Sequence, residues 1–199
     1  MRIVTSKLRD RIIHARIADW PRILPTRHRA TPADAGFGSS RFSSPSNAFR
    51  VLYAADNFST AFAEAVVRDR FEGRMRRFLY RPHLEQLCVT AISSDRELAL
   101  LDLSGAAPYE LGIDTDTSRA RDHLSGQMLS EAVHAEMPDV DGILFNSRLT
   151  TGSCVVVYDR AFSALSGTLP IGVLQSAVLP AELIRLEITV RRQRGFAVA

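Results

Sequence analysis

Asp141-Gly142-Ile143-Leu144-Phe145-Asn146-Ser147-Arg148 is followed by Thr150-Thr151-Gly152 and then by Ser153-Cys154-Val155-Val156-Val157-Tyr158. The first run reads as a strand entered by a turn. The second is strongly β-forming because Val155, Val156 and Val157 are β-branched. The short span between them favours a hairpin. Working outward, residues 49–55 read as a further strand ended by Asp56-Asn57, and residues 86–92 and 98–103 as two more. Ile184, Leu186, Ile188 and Val190 alternate with Arg185, Glu187 and Thr189, the pattern of a half-buried strand. Helical spacing occurs in two places. Ser59 is placed to cap a helix running from Thr60 to about Phe71, with Phe62 and Val66 on its apolar face. Glu64 lies off that face, and Arg68, four residues on, can pair with it. The longer pattern runs from Ser118 to about Met137, with Leu124, Met128, Leu129, Ala132 and Val133 as its stripe and Pro138 closing it. Residues 1–40 are mixed: a short helix or strand around 8–17, then a loop containing Pro21, Pro25 and Pro32. A loop rich in turn formers covers 105–116. Strands outnumber helices and do not alternate regularly with them. The chain is therefore predicted to be α+β, with mostly antiparallel sheets and flanking helices, and to form one domain over 1–199.

Composition narrows the function classes. The chain has 199 residues, 46% hydrophobic and 24% charged, as in ordinary globular domains. No apolar run is long enough to span a membrane, and the first residues lack the apolar core of a secretory signal. A cytoplasmic location is the expectation. The net charge of +3 is too small to imply nucleic-acid binding without a clustered patch. Lys7 is the only lysine, so the positive charge is almost all arginine, the better fork for phosphates and carboxylates. The densest cluster, Arg191-Arg192-Gln193-Arg194, reads as a solvated tail. Cys88 and Cys154 sit in apolar, strand-like runs and read as buried thiols. The histidines are scattered, and no metal site is predicted. There is no P-loop, no G-x-S-x-G elbow and no catalytic-cysteine signature. Gly36-Phe37-Gly38 lacks the preceding strand and third glycine of a dinucleotide fingerprint.

Candidate chemistry centres on Arg41, Tyr53 and Glu64, which lie 12 and then 11 residues apart. The local patterns put them on a loop, a strand and a helix. A cation, an aromatic ring and a carboxylate on three elements can converge on one small anionic ligand. Glu64 has no second carboxylate of the glycosidase kind near it in sequence.

Ser40-Arg41-Phe42, Val51-Leu52-Tyr53-Ala54-Ala55, Ala61-Phe62-Ala63-Glu64 and the Asp141–Arg148 run, in this order and with a Gln127-bearing helix just before the last, look like the RES-domain toxins. The resemblance covers roughly 35–165. The family takes its name from an Arg, a Glu and a Ser, which match Arg41, Glu64 and Ser147. It often has Gly-Arg-Trp-Asn where this chain has Ser40-Arg41-Phe42-Ser43. The resemblance implies a fold related to ADP-ribosyltransferases and the toxin half of a type II toxin–antitoxin pair whose antitoxin has an Xre-like helix-turn-helix. It also implies NAD+ as a substrate, either degraded or used to transfer ADP-ribose to a protein acceptor. On this reading Arg41 fixes the diphosphate, Tyr53 stacks on the nicotinamide or ribose, and Glu64 holds a ribose hydroxyl and offsets oxocarbenium charge. Ser147 orients the carboxylate or the amide, and Gln127 joins the NAD+-binding residues. Arg29 is a candidate second phosphate-binding arginine. One carboxylate suffices, because cationic nicotinamide leaves as a neutral molecule and needs no acid. The competing class is a non-enzymatic, arginine-rich module that binds nucleic acid or protein.

Overall fold

The computed structural model describes residues 5–68, 70–71, 74–111 and 123–192. Its strands in chain order are β1 (Ile12–Ala15), β2 (Trp20–Pro25), β3 (Val51–Ala55), β4 (Arg77–Tyr80), β5 (Leu87–Ser94), β6 (Leu98–Asp102), β7 (Gly142–Asn146), β8 (Ser153–Tyr158), β9 (Leu165–Gly167), β10 (Ile171–Gly172) and β11 (Ile188–Arg191). The hairpin forms as its sequence suggests, in register from Gly142 opposite Val157 to Asn146 opposite Ser153. It lies inside a sheet of order β1-β6-β7-β8-β3. A second sheet has the order β10-β5-β2, with β9 also on β5, and β4 pairs with β11. Pairing is antiparallel except for β6–β7 and β4–β11, which are parallel. The architecture is the expected α+β one.

The two-residue alternation of β8 decides the layers. Cys154, Val156 and Tyr158 point to one face, packed with Leu129, Val133 and Met137 from the helix Leu124–Glu136 and its C-cap. Val155 and Val157 point to the other, against Ile92 of β5 and Ile17, Ala161 and Ala164. A third cluster joins Phe62 and Val66 to Leu79, Leu84, Leu179 and Ile188.

Several boundaries differ from the sequence reading. Trp20–Pro25 is a strand, although Pro21 and Pro25 argued for a loop. It is an edge strand, and Thr26 N donates to Gln86 O, so alternation turns the two prolines' missing N–H positions away from β5. Asn57, not Ser59, caps the next helix: its extended backbone (φ −149°) lets the side-chain oxygen accept from Thr60 N at 2.8 Å. Ser59 instead donates to Glu182 Oε1 at 2.5 Å. The helix runs over Phe58–Phe62, passes into a π-turn at Ala63–Val67 and stops there, short of Phe71. In the long helix the buried face is Gly126, Leu129, Ser130 and Val133, while Leu124 and Met128 are about half exposed, at 53% and 46%. The first part of that prediction, 118–122, lies outside the described residues, as do 112–116 of the predicted loop, Asp69, and Gln193 and Arg194 of the arginine tail. Ala107–Glu110 of that loop is a short helix. The alternating run at 184–190 splits: Leu179–Arg185 is helical with Pro180 in its first turn, Glu187 takes a left-handed φ of 54°, and only Ile188–Arg191 is strand.

Asp141 locks the start of the hairpin to β6. Its carboxylate accepts from Arg96 Nη1 and Nη2 at 2.7 and 2.9 Å and from Ala99 N at 2.9 Å. Burial raises its pKa, but the Arg96 hydrogen bonds and the Ala99 N–H outweigh this and hold it below the usual carboxylate value. A depressed pKa means stability that is present above the unfolded value of about 3.9 and lost as pH falls through the folded one. Arg96 is half exposed and screened by water, so Asp141→Ala is expected to cost about 1–3 kcal/mol at neutral pH. Urea unfolding of both proteins checks this, and the gap between them should shrink below about pH 4.

Candidate active site

β3 and the helix after it carry two of the predicted residues. Tyr53 faces the same side of the sheet as Val51 and Ala55, toward the long helix. The turn after β3 is tied to the hairpin: Ser153 N donates to Asp56 Oδ2 at 2.8 Å, and Thr60 Oγ1 lies 2.9 Å from Thr150 Oγ1. Gly152 makes this fit possible, because a Cβ there would stand 2.1 Å from Thr60 Oγ1. The loop after β7 is thereby pressed onto the helix. Ser147 Oγ donates to Glu64 Oε1 at 2.7 Å and accepts from Leu149 N at 3.1 Å. Glu64 sits in the π-turn, a widened geometry frequent at functional sites. Its other oxygen faces Arg68 Nη1 at 3.4 Å. The carboxylate is thus oriented from two sides.

A cavity of about 200 Å³ opens between β2, β3 and this helix. Glu64, Tyr53, Ser40, Arg22 and Arg68 line it, with Phe145, Cys154 and several alanines as apolar wall. Arg41 lies one layer back. It is 2% exposed, and its guanidinium carbon is 5.9 Å from the Phe145 ring centroid. Burial, then repulsion from Arg68 and Arg148, lowers its pKa to about 10, so it stays charged at neutral pH. Three guanidiniums therefore crowd one carboxylate, a field that favours an anionic ligand.

The segment bearing Arg41 has no regular structure and is held by side chains. Phe42 N donates to Tyr53 Oη at 2.9 Å, and Ser130 Oγ donates to Phe42 O at 2.8 Å. Gln127 Nε2 donates to Ser40 O at 3.2 Å and Ser39 O at 3.4 Å. His123 Nδ1 is 2.8 Å from Ser39 O. Tyr53 thus presents its ring to the cavity while its hydroxyl is occupied, and burial raises its pKa, keeping it a phenol. Burial pushes the Cys154 thiol up to about 12, helped by the charges of Glu64 and Asp56, so it is no nucleophile at neutral pH. Both cysteines are free and buried. Among the described residues no His, Cys, Asp and Glu group of three or more could hold a metal ion.

The structure brings Arg41, Tyr53, Glu64 and Ser147 together, with Gln127 bonded to the loop rather than lining the cavity. Arg29 is exposed and away from the cavity, whose walls carry Arg22 and Arg68 instead. Arg22 and His123 carried no signal in the sequence, and Arg68 read only as a pairing partner of Glu64 four residues on. Gly126 did carry one, as an isolated glycine inside a helical pattern. A Cβ there would lie 2.6 Å from Arg41 Cγ and 2.7 Å from Arg41 O. Gly126→Ala should displace Arg41 and cost about 1–3 kcal/mol by overpacking. Gly36→Ala, with nothing within 4 Å of its Cβ, should be silent in the same denaturation measurement.

Comparison with known proteins supplies the family. The sequence model of the RES domain matches residues 11–173. A protein described as "Probable toxin y4kH" from Sinorhizobium fredii (strain NBRC 101917 / NGR234) is 32% identical over 85 residues, 42% of this chain and 65% of that relative's length. Among solved structures, the fold is similar to that in the M. tuberculosis MbcT–MbcA toxin–antitoxin complex. The TM-score is 0.65 at 19% identity, covering 86% of this chain and 92% of that one. With more than half of its length matched, including every residue gathered around the cavity, this chain belongs to the RES domain family.

Proposed function

We propose that this protein is the toxin of a toxin–antitoxin pair that cleaves the nicotinamide–ribose bond of NAD+, either degrading the dinucleotide or transferring ADP-ribose to a protein. The antitoxin would be an Xre-like helix-turn-helix protein. The observation that carries the proposal is the Glu64 carboxylate, clamped by Ser147 at the wall of a small, partly apolar cavity lined by Arg22 and Arg68, with Arg41 behind it. Family membership and the printed descriptions of the relative and the structural neighbour support the toxin reading.

The chemistry asks little of the protein. Nicotinamide leaves uncharged, so no group must protonate it, and the barrier lies in the positive charge growing on the ribose. Glu64, fixed through Ser147 and Arg68, opposes that charge without having to reorganise as it develops. The Tyr53 ring and the apolar wall suit a planar heterocycle. Arg41, Arg68 and Arg22 supply positive potential for the diphosphate. The fate of ADP-ribose depends on which nucleophile reaches its exposed face: water, phosphate or a protein side chain.

Incubation of purified protein with NAD+, following free nicotinamide by chromatography, tests the proposal. Glu64→Gln should lower kcat by roughly a hundredfold or more, while Arg41→Ala should mainly raise KM. Glu64→Gln should still bind ADP-ribose, with a rise in Tm that Arg41→Ala abolishes. NAD+ left intact by wild-type protein, with cell lysate present to offer acceptors, would sink the proposal.

A further inference from the structure

We propose that His123 is a positioning residue, held by its contacts as the Nδ1–H tautomer, that couples the Arg41 loop to the Glu64 carboxylate. Its partners assign the proton. Nδ1 lies 2.8 Å from Ser39 O, a carbonyl that can only accept, so Nδ1 carries hydrogen. Nε2 lies 3.1 Å from Arg68 Nη2, a guanidinium nitrogen that can only donate, so Nε2 is bare. The opposite tautomer satisfies neither contact. It would set a lone pair against a carbonyl and two N–H groups head to head.

The contacts form one chain. Ser39 O accepts from His123, His123 Nε2 accepts from Arg68 Nη2, Arg68 Nη1 reaches Glu64 Oε2, and Glu64 Oε1 accepts from Ser147. His123 stands just before the helix Leu124–Glu136, one turn from Gln127, which holds the carbonyls of Ser39 and Ser40. This end of the helix therefore sets both sides of the cavity: the loop that carries Arg41, and the guanidinium that steers the catalytic carboxylate. Its catalytic half rests on the NAD+-cleaving reading above, while the tautomer stands on geometry alone.

Two substitutions separate the two contacts. In Asn the amide nitrogen falls near the place of Nδ1, so His123→Asn keeps the bond to Ser39 and loses the acceptor for Arg68. In Gln the amide oxygen falls near the place of Nε2, so His123→Gln keeps the acceptor and loses the loop bond. For nicotinamide release, His123→Asn should lower kcat roughly tenfold with little change in KM, and His123→Gln should raise KM with kcat nearly kept. Long-range proton–nitrogen-15 correlation of the imidazoles at neutral pH, with His123 assigned by its loss in the Gln variant, should show a protonated Nδ1 and a bare Nε2. A bare Nδ1 or a doubly protonated ring overturns the assignment whatever the activity. If the assignment holds but both variants match wild type, or lose kcat and KM alike, the positioning role is wrong. Wild-type protein with the assigned tautomer but no turnover would instead count against the NAD+ reading.

Discussion

An irregular stretch of chain runs between a helix and a sheet, buried from Arg41 to Ser44, and this constraint organises the molecule. Buried backbone donors and acceptors must find partners, and a loop has no ladder to provide them. Here Phe42 N–H is met by Tyr53 Oη and Phe42 C=O by Ser130 Oγ, while at the more exposed start of the stretch Gln127 and His123 take the carbonyls of Ser39 and Ser40. Phe42 fills the space beneath, edge-on to Phe145 at 5.1 Å. A buried, charged arginine rides on this segment. It can be held there only because Gly126 lets the helix pass against its backbone.

The second organising feature is the clamp between the hairpin loop and the helix after β3. Asp56, Thr60, Thr150 and Gly152 join the two, and the result is that Ser147 and Glu64 meet although they are far apart in the chain. The Glu64 carboxylate is held at both oxygens, by Ser147 and by Arg68, so its orientation is fixed before any ligand arrives. The surrounding arginines repel one another in the free protein.

Much of this was legible in the residues. The β-branched run of β8, the turn before β7 and the short connection between the strands specify the hairpin locally, and the α+β class follows from the count and order of strands. The family pattern around Arg41, Tyr53, Glu64 and Ser147 marked the residues that meet. Prolines misled at β2, because an edge strand tolerates them and edge position is not written locally. Alternation misled at 184–190, because Pro180 starts a helix whose last turn overlaps the pattern. The apolar stripe of the long helix misled as well: its buried face is set by contact with Arg41 and Phe42, which favours Gly126 and Ser130 over Leu124 and Met128.

By itself the sequence determined the hairpin, the class of fold and the identity of the central ionisable residues, since these depend on local periodicity and on residue types in a recognisable order. Tertiary structure alone decided how those residues are used. It placed Arg41 behind the cavity wall, turned Tyr53 into both wall and loop anchor, and drew Arg68 and His123 into the support of Glu64. The physical reason is that a hydrogen bond or a buried charge is defined by the distance to a partner remote in the chain. No window of neighbouring residues contains that distance.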